Sequence, residues 1–390
     1  MSAGNAISRP TAVVAIPVCN EAERIQDCLM ALASQIGIEA HSLAIVLFLN
    51  NCTDDTARIV ASLLPVIDLQ IVVIERNSEA ANAGWARREA MEAAAALLDE
   101  RGADAGILLT TDADSRVAPD WVARNLAAIA CGADAVAGQI ELDDQDAAVL
   151  PAALHARGHL ESLYEALLIA LEARIDPLAH DPWPRHWTTS GATLAVRLGA
   201  YRRVGGMPAL ALGEDRAFIA LLVSNGAVVR HDPAVKVTTS GRLQGRAPGG
   251  AADTIRLRCE VRDSPCDPRL EALPRALFRF VWRRRLRRLH AERRLNRYLS
   301  WGPWLGLGRE SAARIAALPT FGAVLAAVEE ASLLLSYRPL RPAELPVNIR
   351  LARAAIARIR GASQRPFVLP SIAPAEGRRH LPAPAEPTQS

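Results

Sequence analysis

The chain has 390 residues, 50% of them hydrophobic, with 45 basic and 42 acidic side chains and a formal net charge of +3. Its length excludes a single small module and its apolar content excludes disorder throughout, while no apolar run approaches the about 18 residues of a membrane-spanning helix. The near-neutral sum hides a division: residues 1–250 carry 20 basic and 30 acidic groups, residues 251–390 carry 25 and 12, and a basic second part points to an anionic partner.

In chain order, apolar runs rich in β-branched residues at 11–18, 43–49, 70–75, 106–111 and 133–142 predict strands. Amphipathic stretches at 21–34, 54–64, 85–99 and 119–130 predict helices between them. Asn20 and Glu23 have the spacing of a capping box, and Pro119 suits a first helical turn. This alternation predicts an α/β domain with a mostly parallel sheet. From residue 151 the pattern changes to a helix over 152–174, an aromatic segment over 176–187 and a short strand over 191–196. A helix starting near Glu214 and a strand over 228–238 follow. Residues 239–252, with four glycines and two arginines, read as a mobile loop, residues 270–360 as all-helical, and residues 366–390 as a proline-rich disordered tail. Six cysteines without CxxC pairing and an N-terminus without a secretory leader predict a cytoplasmic location.

Parallel α/β sheets bind ligands beyond the carboxyl ends of their strands, and here polar residues gather at those ends. Pro17, Asn20 and Glu21 follow the first run, and Asn50, Asn51, Thr53 and Asp54 the second. Asn82, Arg87 and Arg88 come after the third, and Asp112 and Asp114 after the fourth. Two carboxylates one residue apart at a strand end suit Mg²⁺ or Mn²⁺, hard cations that keep positions for water and substrate phosphates. The competing structural role for this pair is a turn leading into the next helix. Arg87 and Arg88 are phosphate candidates, but only one of two adjacent helical residues can face the crevice.

The order IPVCNEAERIQDCL, LNNCTDDT, NAGWARREAM, TDADS and GGMPALALGED, over roughly residues 11–250, resembles the family 2 glycosyltransferases of the GT-A fold. The resemblance implies transfer of a sugar from a nucleotide-diphosphate sugar to an acceptor hydroxyl, with a divalent metal. It implies Asp114 as the principal metal ligand and Asp112 as a contact to the metal or the donor's ribose. Residues 17–21 and 49–54 would hold the nucleoside, and Arg242 of the glycine-rich loop would pair with the diphosphate. Glu214 and Asp215 match the acidic motif opening the acceptor-side helix. Asp215 is then the base of an inverting displacement, with Glu214 orienting it or the acceptor. Trp183, Trp187 and Gly191 fall where the family places acceptor-binding elements. On this resemblance residues 1–150 form the nucleotide-sugar half of the domain and 151–250 the acceptor-side half. Residues 251–365 form an arginine-rich helical region.

The departures are informative. Leu49 stands where many members carry an acidic residue, which leaves the base of the nucleotide open, and the signature of processive membrane-embedded members is absent. A nucleotidyltransferase is the alternative enzyme, but PVCNE stands where such enzymes carry a glycine-rich loop. A non-catalytic, basic membrane-surface-binding protein on a degenerate transferase domain is the third alternative, against which the intact TDADS and GED motifs argue. Among the arginines that run from Arg279 to Arg297, Phe278, Trp282, Leu286 and Leu289 make a narrow apolar stripe, which predicts a docked helix with its arginines outward. The other role for those arginines is contact with anionic headgroups around a lipid-linked acceptor. No nucleic-acid-binding module accompanies them, so a nucleic acid partner is not expected.

Overall fold

The computed structural model describes residues 10–79, 81–99, 106–242 and 250–361. The tail predicted over 366–390 and the middle of the glycine-rich loop lie outside the described residues. Strands β1 (Ala12–Val18), β2 (Leu43–Asn50), β3 (Gln70–Arg76) and β4 (Ile107–Thr110) come first. Strands β5 (Arg116–Val117), β6 (Ala135–Leu142), β7 (Leu194–Arg197) and β8 (Val229–Thr239) complete one sheet, in the order β3-β2-β1-β4-β7-β6-β8-β5. Helices α1 (Ile25–Ala33), α2 (Thr56–Leu63) and α3 (Ala83–Asp99) alternate with the first four strands, α4 (Trp121–Ala130) lies between β5 and β6, and α5 (Asp144–Ala148) and α6 (Ala152–Ile175) follow β6. Helices α7 (Leu198–Arg203), α8 (Glu214–Ser224) and α9 (Ala251–Glu260) follow, and then α10 (Leu273–Ala291), α11 (Arg309–Ala316), α12 (Phe321–Ala331) and α13 (Leu345–Gly361).

The first two strands read AVVAIPV and LAIVLFLN, with almost no polar position, because the sheet is covered on both faces. Alternate residues divide between two cores. Val14 and Ile16 pack with α1, α2 and α4, whereas Val13 and Ala15 pack with α3, α7 and α8. β1 runs parallel to β2 and β4, and β2 parallel to β3, so all four deliver their carboxyl ends to one edge. β7 enters antiparallel between β4 and β6 and makes the sheet mixed. The α/β class read from the alternation is the class observed.

Two local expectations are corrected, and one short strand is not among those predicted. α1 begins at Ile25, its N-cap Arg24 makes no side-chain capping bond, and Asn20 instead sits at φ 54° and bonds across to the next strand-end loop. Pro119 precedes the N-cap Asp120 and lies outside the first turn of α4. The two-residue β5, too short to show a period, closes the sheet edge against β8.

In the C-terminal region, Trp282, Leu286 and Leu289 are buried with α11 and α12, as the apolar stripe of α10 required. Its arginines, however, are only partly outward. Arg279 pairs with Glu271 at 2.7 Å, Arg283 with Glu172 and Glu329 at 2.8 Å each, and Arg287 with Asp176 at 2.9 Å. Carboxylates on α6 and at its C-cap, on α12, and just before α10 therefore consume one face of the helix. Among the described residues no helix is long and apolar enough to cross a membrane.

Candidate active site

The strand-end loops are laced together by short polar side chains. The Asn20 carboxamide oxygen accepts from the Thr53 and Asp54 amides at 2.7 and 3.3 Å, and Asp54 in turn accepts from the Ala22 and Thr56 amides. Asn51, at φ 50°, exchanges two hydrogen bonds with the Ser78 backbone. Asn20 and Asp54 therefore shape the crevice by joining the loops after β1 and β2, and Asn50 is buried at the end of β2. Asn82 accepts from the Trp85 amide at 2.9 Å and caps α3. Pro17 is half-buried in β1, opposite Phe48.

Arg87 is the centre of the arrangement. Only 6% exposed, it donates to Asp112 at 2.7 Å, to Glu214 at 3.0 Å, to the Thr110 hydroxyl at 3.1 Å and to the Gly191 carbonyl at 3.0 Å. Burial opposes its charge, but Asp112 and Glu214 outweigh burial and hold its pKa above the usual arginine value. Arg88 points elsewhere and donates to the Met207 carbonyl at 2.8 Å. The Gly191 amide donates to Asp215 at 2.9 Å, so one residue, through its N–H and its carbonyl, joins Arg87 to Asp215. No side chain fits at that glycine, since a Cβ would lie 2.5 Å from the Arg87 guanidinium. Gly84 serves the same packing one turn earlier, where a Cβ would meet the Leu210 carbonyl oxygen at 1.9 Å.

Asp114 faces a second cation. Arg242 forks onto Glu21 at 2.7 and 2.5 Å and reaches Asp114 at 3.0 Å, while Asp146 accepts from the Ser240 hydroxyl and the Gly241 amide and fixes the start of that segment. Burial, and then the charge of Asp112, push the Asp114 carboxyl up to about 6 against the opposing pull of Arg242. Asp112 and Asp114 fit a divalent ion on chemistry: they are hard oxygen donors in surroundings with surplus negative charge. Among the described residues no group of three or more ligating side chains forms, so phosphate and water oxygens would complete the coordination. Trp187 donates its indole N–H to Glu172 at 2.9 Å and, like Trp183, packs against the core under α6 and α10. His231 lies beside Asp181, at 3.0 Å.

Residues 13–181 match the family model described as glycosyl transferase family 2. This segment is a family 2 glycosyltransferase domain. The match holds the strand-end loops, Arg87, Asp112 and Asp114, and stops before Glu214 and Asp215; the resemblance read from the motifs extended to residue 250. The family's GT-A architecture, implied by those motifs, agrees with the mixed eight-stranded sheet. The chain is also similar to the Staphylococcus aureus protein TarS, residues 1–349, solved with UDP-GlcNAc. That likeness has 15% identity, covers 92% of this chain and 94% of that one, and has a TM-score of 0.45. A second likeness is to the mannosyltransferase PcManGT from Pyrobaculum calidifontis, solved with GDP-Man and Mn²⁺, at 20% identity, 83% and 86% coverage and a TM-score of 0.45. No curated protein matches the chain.

Within this family 2 domain, Arg87 is also the main structural liability. Arg87→Met leaves the buried Glu214 and the half-buried Asp112 without a cation, and the Gly191 carbonyl without a donor. Stability is expected to fall by about 3–5 kcal/mol, the cost of breaking a buried pair from one side. Urea unfolding checks this, and a loss below about 1 kcal/mol would show that solvent replaces the guanidinium.

Proposed function

We propose that the chain transfers a sugar from a nucleotide-diphosphate sugar to an acceptor hydroxyl, with a divalent metal at Asp112 and Asp114 and with Asp215 as the base. The observation that carries this reading is the bridge through Arg87 and Gly191. It ties the carboxylates of the family 2 domain to the acidic pair at the start of α8. Glycosyl transfer needs both groups in one place: one set for the departing diphosphate, another for the proton of the attacking hydroxyl.

In this mechanism Asp215 accepts the acceptor's hydroxyl proton as the oxygen closes on the anomeric carbon. Its carboxylate is held for that task by the Gly191 and Arg216 amides, at 2.9 and 2.6 Å. Glu214 does not face the acceptor; it holds Arg87 and through it the orientation of Asp112. Mg²⁺ or Mn²⁺, when bound, supplies Lewis-acid stabilisation of the leaving diphosphate. Arg242, already beside Asp114, adds a planar guanidinium for the phosphate oxygens. A single base on the acceptor side suits inversion of configuration.

A thermal-shift panel of uridine, guanosine, adenosine and cytidine diphosphates, with and without Mn²⁺, tests the donor half. A shift that requires Mn²⁺ and favours one base is expected. No shift with any of the four would overturn the reading.

A further inference from the structure

A cavity of about 830 Å³ lies between α8 and the C-terminal helices α10 and α12. We infer that this chamber receives the acceptor, and that the acceptor is an uncharged small molecule with an apolar body and a free hydroxyl. The inference rests on the glycosyl transfer proposed above and adds the place and chemical class of the second substrate.

Position is the first argument. Arg216, next in the chain to Asp215, and Thr189, two residues before Gly191, both line the chamber. None of Asn20, Glu21, Asp112, Asp114 or Arg242 does. Glu214 and Asp215 do not themselves line the chamber; it begins one residue beyond Asp215 and takes none of its wall from those donor residues. α8 serves both sides because successive helical residues point about 100° apart: Glu214 turns to Arg87, Asp215 to Gly191, and Arg216, Ile219, Ala220 and Val223 to the chamber. The volume falls within the about 300–1,000 Å³ of small-molecule sites.

Charge is the second argument. Six arginines and six carboxylates line the chamber. Five of the arginines are spent on lining carboxylates. Arg185 reaches Glu172 at 2.9 Å and Arg269 reaches Asp267 at 3.3 Å, beside the three pairs of α10 already described. Arg216, at the rim, has no carboxylate within ion-pair distance among the described residues. An anion entering the chamber would lose its water against walls whose charges already cancel, which is unfavourable. Apart from His180, His231 and Thr189, the remaining lining is apolar or aromatic, including Ile219, Val223 and Leu325 and the rings of Phe280, Phe321 and Tyr337. The Tyr337 and Phe321 rings are held by the Arg279 and Arg287 guanidinium groups, 3.9 and 4.4 Å from their centroids. Rigid ring walls with neutralised charges select a body of low polarity and leave the hydroxyl to Asp215.

The test compares three probes by isothermal titration on the full chain: octyl β-glucoside below its micelle concentration, octyl phosphate, and glucose. Octyl β-glucoside is expected to bind, with octyl phosphate and glucose weaker by about tenfold or more, a difference of about 1.4 kcal/mol. Ala220→Trp on α8 and Leu325→Trp on α12 fill the chamber from two different helices, and each is expected to weaken octyl β-glucoside by a similar factor. Two walls are used so that a folding failure in one variant, seen as an altered unfolding midpoint, leaves the other to decide. Equal or tighter binding of octyl phosphate, no binding of octyl β-glucoside, or unchanged binding in a folded variant would each overturn the inference. The Mn²⁺-dependent nucleotide shift on the same sample separates the two readings. If it persists while the chamber stays empty, glycosyl transfer stands and only the chamber assignment falls.

Discussion

Asp215→Asn is expected to keep the metal-dependent nucleotide shift and to lose sugar transfer by about 100- to 10,000-fold, the contribution of a positioned general base. The substitution leaves the donor side untouched because Asp215 makes no bond to Arg87, Asp112 or Asp114; its hydrogen-bond partners among the described residues are the Gly191 and Arg216 amides. An amide of nearly the same shape can accept from one of those N–H groups and cannot take the acceptor's proton. The measurement is acceptor-dependent release of nucleoside diphosphate from whichever donor the shift panel selects. Glu214→Gln gives the contrast. It weakens the Arg87–Glu214 pair and thereby the orientation of Asp112, so it is expected to impair nucleotide binding together with transfer. Full transfer by Asp215→Asn would remove Asp215 as the base.

The difference between these two neighbours shows where sequence patterns stop. The α/β class, the polar strand ends and the TDADS turn were legible because strand period, helix period and local order are properties of short windows. That Arg87 faces Glu214 while Arg88 faces Met207 was not, since the partners lie 127 and 119 residues away and either arginine satisfies the same local pattern. The Asn20–Thr53 and Asn51–Ser78 bonds join loops 33 and 27 residues apart, so these asparagines looked like ligand contacts although their amides are largely occupied by other loops. In α10 the apolar stripe was visible but the destination of its arginines was not. Glu172 and Asp176, at the end of α6, draw Arg283 and Arg287 inward over more than a hundred residues of chain. The same long-range pairing neutralises the chamber, so the positive balance of the C-terminal region is largely cancelled along that wall.

Asp114→Asn is expected to abolish the Mn²⁺-dependent part of the nucleotide shift and, without metal, to make the protein more stable. Both effects follow from one feature. Asp114 is largely enclosed among like charges, with a side chain 15% exposed, and burial and Asp112 push its carboxyl up to about 6 against 3.8 for a free one. A carboxyl whose folded value lies above its unfolded value favours the fold while protonated and opposes it once ionised. Its penalty is absent below about pH 4, grows between about 4 and 6, and is fully present at pH 7, where it is on the order of 1–3 kcal/mol. The amide removes that penalty, and Arg242 keeps both bonds to Glu21. Urea unfolding in EDTA should therefore show the variant more stable than the parent at pH 7, with the gap closing towards pH 4. A gap that stays constant across this range would mean that the Arg242 pair, and not the crowding of carboxylates, sets the energy of Asp114. A divalent cation acts on the same strain from outside, since adding two positive charges beside Asp112 and Asp114 stabilises the ionised form that burial disfavours. On the proposed reading the destabilised carboxylate would be the source of metal affinity, and a chain optimised for its metal-free stability would not carry it.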